Sequence, residues 1–244
     1  MFDYQHSFFN KVKSKKNEYI LVSEKYDISK LYHFHEILKN HKIETKKLNK
    51  NKTINGKEYK TKNSFLIPTN QKNSRLLNAM IENRTEFTAS LFYDISAWSF
   101  LHSFNLDYTR LNISEKLQNL DFPKPTGKIN TESDYAYVFS WHDYYTPKAL
   151  YKLLDNGIRI KVATEEFSIN ENKFSFGSIL ISLNNQSKSH FEITKLVKEI
   201  SSEPLISSLR VNFESGGRRY SDLFFRSFFA ALDQSLFLDT ATEE

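Results

Sequence analysis

Ser64-Phe65-Leu66-Ile67-Pro68-Thr69-Asn70-Gln71 is an apolar run of strand length, closed by a proline that cannot donate to a sheet ladder. A similar run recurs as Ile179-Leu180-Ile181-Ser182-Leu183-Asn184-Asn185-Gln186. Asn70-Gln71 matches Asn185-Gln186 at an offset of 115 positions. The same offset joins Leu38 to Leu153, Ile43 to Ile158, Asn55 to Asn170 and Tyr59 to Phe174. A constant offset over this distance reads as an internal duplication, with a register that holds without gaps through the second half of each copy.

Outward from that strand, each copy reads as β-α-β-hairpin-α. In the first copy, Tyr19-Ile20-Leu21-Val22 is a short apolar run that fits a parallel or central strand. Residues 27–40 form a helix, with Leu31, Phe34 and Leu38 facing the sheet and His35 and Glu36 on the solvent side. A strand over 43–48 follows. Asn55-Gly56 then supplies the positive φ of a tight hairpin at 53–59. A helix over 75–83 closes the copy. In the second copy, Thr146-Pro147 places a cap residue before a proline at the first helical position, and Gly157 lies just past the helix end. Such a unit cannot cover both faces of its sheet alone, so the expected fold is α/β, two similar β-α-β-hairpin-α units packed as an α/β sandwich.

The chain has 244 residues, 39% hydrophobic, 15% aromatic and 26% charged, which allows one large or two small globular domains. Phe 21 and Tyr 13 against Gly 6 and Pro 5 point to ordered structure, not linker. With no cysteine, disulfides and thiolate metal sites are excluded. No run approaches the ~20 apolar residues of a membrane-spanning helix. Met1-Phe2-Asp3-Tyr4-Gln5-His6 lacks the pattern of a signal peptide. Residues 1–75 hold 17 Lys and Arg against 7 Asp and Glu, or +10, while the rest holds 17 against 22, or −5. The positive charge is dispersed lysine with Arg75 as the sole arginine of that stretch, so weak, non-specific nucleic-acid binding is the expectation.

Between the copies lies Ser90-Leu91-Phe92-Tyr93-Asp94-Ile95-Ser96-Ala97-Trp98, with Asp94 placed to cap a short helix carrying a buried Trp98. "SLFYDISAW", with "FNLDY" from Phe104, "YHFHEILKNHKI" from Tyr32, "NGKEY" from Asn55 and "SFLIPTNQ" from Ser64, resembles a region of large bacterial zinc carboxypeptidases of the carboxypeptidase A superfamily. "YAYVFSWHDYYTPKALYKLLDNGIRIKVA" from Tyr135 and "FGSILISLNNQ" from Phe176 extend the resemblance to about residue 200. In that family the region lies downstream of the catalytic domain. The resemblance implies an accessory segment of a metallocarboxypeptidase, with zinc held elsewhere in the parent and a catalytic domain as partner in cis or in trans. The parent family is often exported in bacteria. The family goes on into a glutamine-amidotransferase-like domain, whereas this chain stops agreeing with it after Ile200.

The division expected is a leading helix at 1–16, a first unit with the FYDISAW segment at 17–109, and a connecting loop at 110–134 containing Pro123, Pro125 and Gly127. A second unit spans 135–213 and a divergent tail 214–244. Its Leu223, Phe224, Ser227, Phe228 and Leu232 have amphipathic-helix spacing.

Zinc peptidases of the family use a His-x-x-Glu pair and a distant second His, and His33 and Glu36 have that spacing with His41 five positions on. The resemblance places them on a helix outside the catalytic region, so no catalytic residue and no cofactor is assigned to this chain. Asp94, Ser96 and His102 offer the residue types of a triad without a fixed geometry. Trp141, His142, Asp143, Tyr144 and Tyr145 form an aromatic loop between a strand and a helix, a place where ligands or peptides bind in α/β folds. Two alternatives stay open: an independent zinc-dependent hydrolase using His33 and Glu36, and a basic nucleic-acid-binding module.

Overall fold

The computed structural model describes residues 17–83, 99–127, 135–169, 172–204, 211–212 and 237–239. The expected helices at 1–16 and 223–232, Asp94, Ser96, Trp98 and Asn170 lie outside them. The fold is mixed α/β. The chain divides into two compact units, 1–123 and 124–244.

In the first unit β1 (Glu18–Ser23) is followed by α1 (Ile28–Asn40), β2 (Lys46–Lys47) and the hairpin β3 (Lys52–Ile54) and β4 (Lys57–Tyr59). Then come β5 (Ser64–Pro68), α2 (Ser74–Ile81), α3 (Phe100–Ser103) and β6 (Asp107–Asn112). The sheet order is β2-β5-β1-β6, every neighbour antiparallel. β1 is therefore central, as its apolar run suggests, but it is not parallel to a neighbour. β1 and β2 run the same way with β5 between them, a split β-α-β arrangement.

Local chemistry accounts for the elements. Asp27 caps α1 by accepting the Lys30 N–H at 2.9 Å. Leu31, Phe34 and Leu38 pack against Ile20, Val22, Phe65 and Ile67. Asn55 and Gly56 both have positive φ, 51° and 76°, the geometry a two-residue hairpin turn needs. The opposite sheet face holds Leu21 and Leu66, covered by Tyr59 and Ile54 of the hairpin together with Leu48 and Ile113. One unit thus covers both faces of its sheet, against the sequence expectation, because the hairpin folds across the face that the helices leave bare.

The second unit repeats the plan: β7 (Ala136–Phe139), α4 (Thr146–Asp155), β8 (Lys161–Ala163), β9 (Phe167–Ile169), β10 (Asn172–Phe174), β11 (Ile179–Ser182) and α5 (His190–Ser202). β12 (Val211–Asn212) and β13 (Phe237–Asp239) complete a sheet of order β12-β7-β11-β8-β13. Tyr137, Phe139, Ile179 and Ile181 face the helices, while Val138 and Leu180 meet the hairpin, where Phe167 and Phe174 stack at 5.1 Å.

The offset of 115 holds at the helix ends, where Ile43 N–H donates to Leu38 C=O and Ile158 N–H to Leu153 C=O, at 2.9 and 3.0 Å. Leu38 and Leu153 are both fully buried. It does not hold without gaps. Along the matched strands the side chains sharing a face are Phe65 with Ile179 and Ile67 with Ile181, an offset of 114. On β1 and β7 it is 117, Val22 with Phe139. A turn one residue shorter precedes β11, and one extra residue follows it. Because side chains alternate across a sheet, a slip of one would have turned the apolar set to the wrong face.

Three further expectations change. Thr146 is not a cap: it is the first residue of α4, and its hydroxyl donates to the Ser140 carbonyl at 3.1 Å. The expected strand at 43–48 is reduced to β2. Residues 110–112 belong to β6, and Ile113, Leu120 and Phe122 pack onto the first unit, so the expected connecting loop is in large part folded. Within the expected tail, residues 237–239 pair with the sheet, Leu238 with Val162 and Asp239 with Lys161.

Candidate functional site

Three places bear on function. On α1, His33 is half-buried with its ring edge-on to Tyr32 at 5.8 Å. Glu36 lies 3.7 Å from Lys39, and His41 is the C-cap, its Nδ1 2.8 Å from the Ile37 carbonyl. His41 therefore serves the helix end, where a side chain that bonds a free carbonyl is favoured. Among the described residues no three His, Asp or Glu side chains form a group that could hold a metal ion. His33, Glu36 and His41 are not brought together as the three protein ligands around an open position that a catalytic zinc centre needs.

The residue of α1 that sequence reasoning misplaced is His35. It is buried, not solvent-facing, at 3% exposure. Its Nε2 is 3.1 Å from Thr45 Oγ1, and its ring lies 5.7 Å from both Phe65 and Phe122. Burial lowers its pKa below the ordinary 6.5, against the opposing pull of Glu36. Beside it opens a cavity of about 290 Å³, also lined by Lys39, Thr45, Asn119, Leu120 and Asp121. No local pattern announces this site, since Phe122 arrives from far along the chain.

The aromatic turn at 141–145 is split by its packing. Asp143 is buried; its carboxylate accepts the Tyr145 N–H at 2.9 Å and its carbonyl the Thr146 N–H at 3.0 Å. Tyr145 packs inward against the core of the unit. Trp141 and Tyr144 face outward at 43% and 66% exposure, with Phe176 at 69% on the neighbouring turn. His142 Nε2 meets Ser175 Oγ at 3.0 Å, and Trp141 lies over Gly177, where an added Cβ would stand 3.7 Å from the Trp141 Cβ. The turn is thus tied to the β10–β11 turn, and three of its five residues point to solvent. His102 is exposed on α3, edge-on to Tyr108 at 5.9 Å, while Asp94 and Ser96 lie outside the described residues.

Two glutamines carry the most repeated geometry. Gln71 Oε1 accepts the Glu44 N–H at 2.6 Å, and its Nε2 donates to the Pro68 carbonyl at 2.7 Å. Gln186 Oε1 accepts the Arg159 N–H at 2.9 Å, and its Nε2 donates to the carbonyls of Arg159 and Ser182 at 2.8 and 2.7 Å. Each amide ties the chain leaving a helix to the end of a central strand. No protein-family model, curated protein or solved structure matches the chain.

Proposed function

We propose that the chain is a non-catalytic accessory segment of a zinc-carboxypeptidase-like protein, serving to pack against or position substrate for a catalytic domain in cis or in trans. The support is the resemblance itself, read together with what its motif residues do. The glutamines that close "SFLIPTNQ" and "ISLNNQ" bond only to backbone, and Asn55-Gly56 of "NGKEY" makes a hairpin turn. These are framework roles, consistent with a region kept for its shape. The α/β sandwich expected of two such units belongs to the same proposal, as does peptide contact at Trp141, His142 and Tyr144.

Peptide cleavage tests it. The purified chain in added zinc is expected to release no C-terminal residue from model peptides, while a zinc carboxypeptidase catalytic domain under the same conditions does. Cleavage by the chain alone, abolished in His33→Ala, would overturn the reading in favour of an independent hydrolase.

A further inference from the structure

Segment 118–122 runs back along β2. Lys47 N–H donates to the Gln118 carbonyl at 2.9 Å, Lys46 Nζ to Asn119 Oδ1 at 2.6 Å, and Leu120 N–H to the Thr45 carbonyl at 3.1 Å. Phe122 then enters an aromatic box formed by Tyr32, His35 and Phe65. Thr45 is shared: its carbonyl holds Leu120 and its hydroxyl bonds His35. The other ring nitrogen of His35, Nδ1, has no hydrogen-bond partner among the described residues, and Glu36 Oε1 at 3.9 Å is too far to be one.

The second unit shows that the fold needs no polar pair here. At the offset of 115 that holds across the helix end, His35 and Thr45 correspond to Leu150 and Ile160, which pack together in the apolar core. There β13 takes the place on β8 that segment 118–122 takes on β2.

We propose that His35 and Thr45 form an acid-sensitive latch, which holds segment 118–122 on β2 at neutral pH and releases it when the imidazole takes up a second proton. An imidazolium carries an N–H on both nitrogens, and the buried Nδ1–H would find no acceptor among the described residues. A buried charge with one of its two ring N–H groups unsatisfied is costly, and the adjoining cavity gives the ring room to move toward polar groups. Movement of the ring displaces Phe122 and strains the Thr45 link to Leu120. The charged groups around it are mixed. Glu36 on its own helix and Asp121 on the segment favour the proton, and Lys39 disfavours it. Lys42 and Glu44 line the cavity from the stretch before β2, Glu44 being paired with Lys46 at 3.1 Å. Burial outweighs these, so the docked form binds its proton below pH 6.5 and the released form near it. Docking is thus at full strength above pH 6.5 and weakens as the pH falls from there through the value of docked His35.

The test is an NMR titration of the His35 imidazole with amide-exchange protection of Lys47 and Leu120, corrected for intrinsic rate, between pH 7.5 and 4.5. His35 is expected to titrate below 6.5, with protection at both amides falling in step, up to about tenfold for each unit by which its pKa is depressed. In the double variant His35→Leu/Thr45→Ile, which copies the second unit, protection should stay level. A wild-type His35 titrating at or above 6.5, protection that ignores its midpoint, or the same acid loss in the double variant would each overturn the proposal. The wild-type titration decides even if the variant does not fold.

Discussion

Gln71 and Gln186 show how one side chain can replace a stretch of sheet pairing. A primary amide offers the same donor and acceptor as a peptide group, so each glutamine bonds backbone that would otherwise face only water. Gln71→Ala and Gln186→Ala are each expected to lower stability by about 1 kcal/mol, since the freed backbone groups are near solvent and water partly replaces the bond. Urea midpoints measure this, and no change in either variant would remove the clamp from the account. Lys42 and Gly157 make a second matched pair. Both stand at left-handed φ just past a helix, 56° and 70°. The left-handed form costs a side-chain-bearing residue roughly 1–2 kcal/mol, and glycine's extra entropy loss returns roughly 0.5–1 kcal/mol. Lys42→Gly should then stabilise the chain by up to about 1 kcal/mol in the same measurement. The matched residues were legible from their spacing, but their bonds were not. His35 was misread because helical periodicity places it beside the apolar stripe, while Thr45 and Phe122, which bury it, come from elsewhere.

At the scale of elements, helices and hairpins were the readable part. Asp27, Asn55-Gly56 and Gly157 act within a few residues of themselves, so local chemistry sets them. Edges were not readable. β6 alternates half-buried and exposed residues, with Tyr108 and Arg110 on the helix side of the sheet left open to water, so its apolar signal is faint. β13 has three residues and finds its partner far back in the chain. The α4–α5 pair has its own fastening, since Glu203 receives hydrogen bonds from both Lys152 and Lys148, the latter at 2.9 Å. The Lys152 bond first, then that of Lys148, holds the Glu203 carboxyl below its ordinary 4.5. A carboxylate depressed in this way stabilises above the unfolded value, and the contribution is lost as pH falls through the folded one. Glu203→Gln should cost about 0.2–1 kcal/mol at pH 7, the range of partly exposed pairs. The difference from wild type should vanish once the pH has fallen below the folded value. A difference that persists there would mean the loss is one of packing.

At the scale of the molecule, the clusters of buried residues found among the described residues each fall within one unit, two in 17–123 and two after 124. A fragment of residues 17–123 is therefore expected to fold alone, with a cooperative thermal transition and native helix content by circular dichroism. A broad, non-cooperative melt would mean that the first unit depends on the rest of the chain. The duplication was visible in sequence as an offset, yet the gaps of one and two residues appear only when side chains are assigned to faces. Function is less legible than fold, because the repeated motif residues Gln71, Gln186 and Asn55-Gly56 serve the framework and the exposed Trp141 and Tyr144 name no ligand.

On the proposed function, this chain supports zinc-peptidase chemistry without performing it. Metal analysis of the purified chain after equilibration with zinc and removal of loosely held ion tests it most directly. The account predicts well under one zinc per chain, unchanged in His33→Ala, because His33, Glu36 and His41 belong to no metal-holding group among the described residues. One tightly held equivalent, lost in His33→Ala, would contradict it.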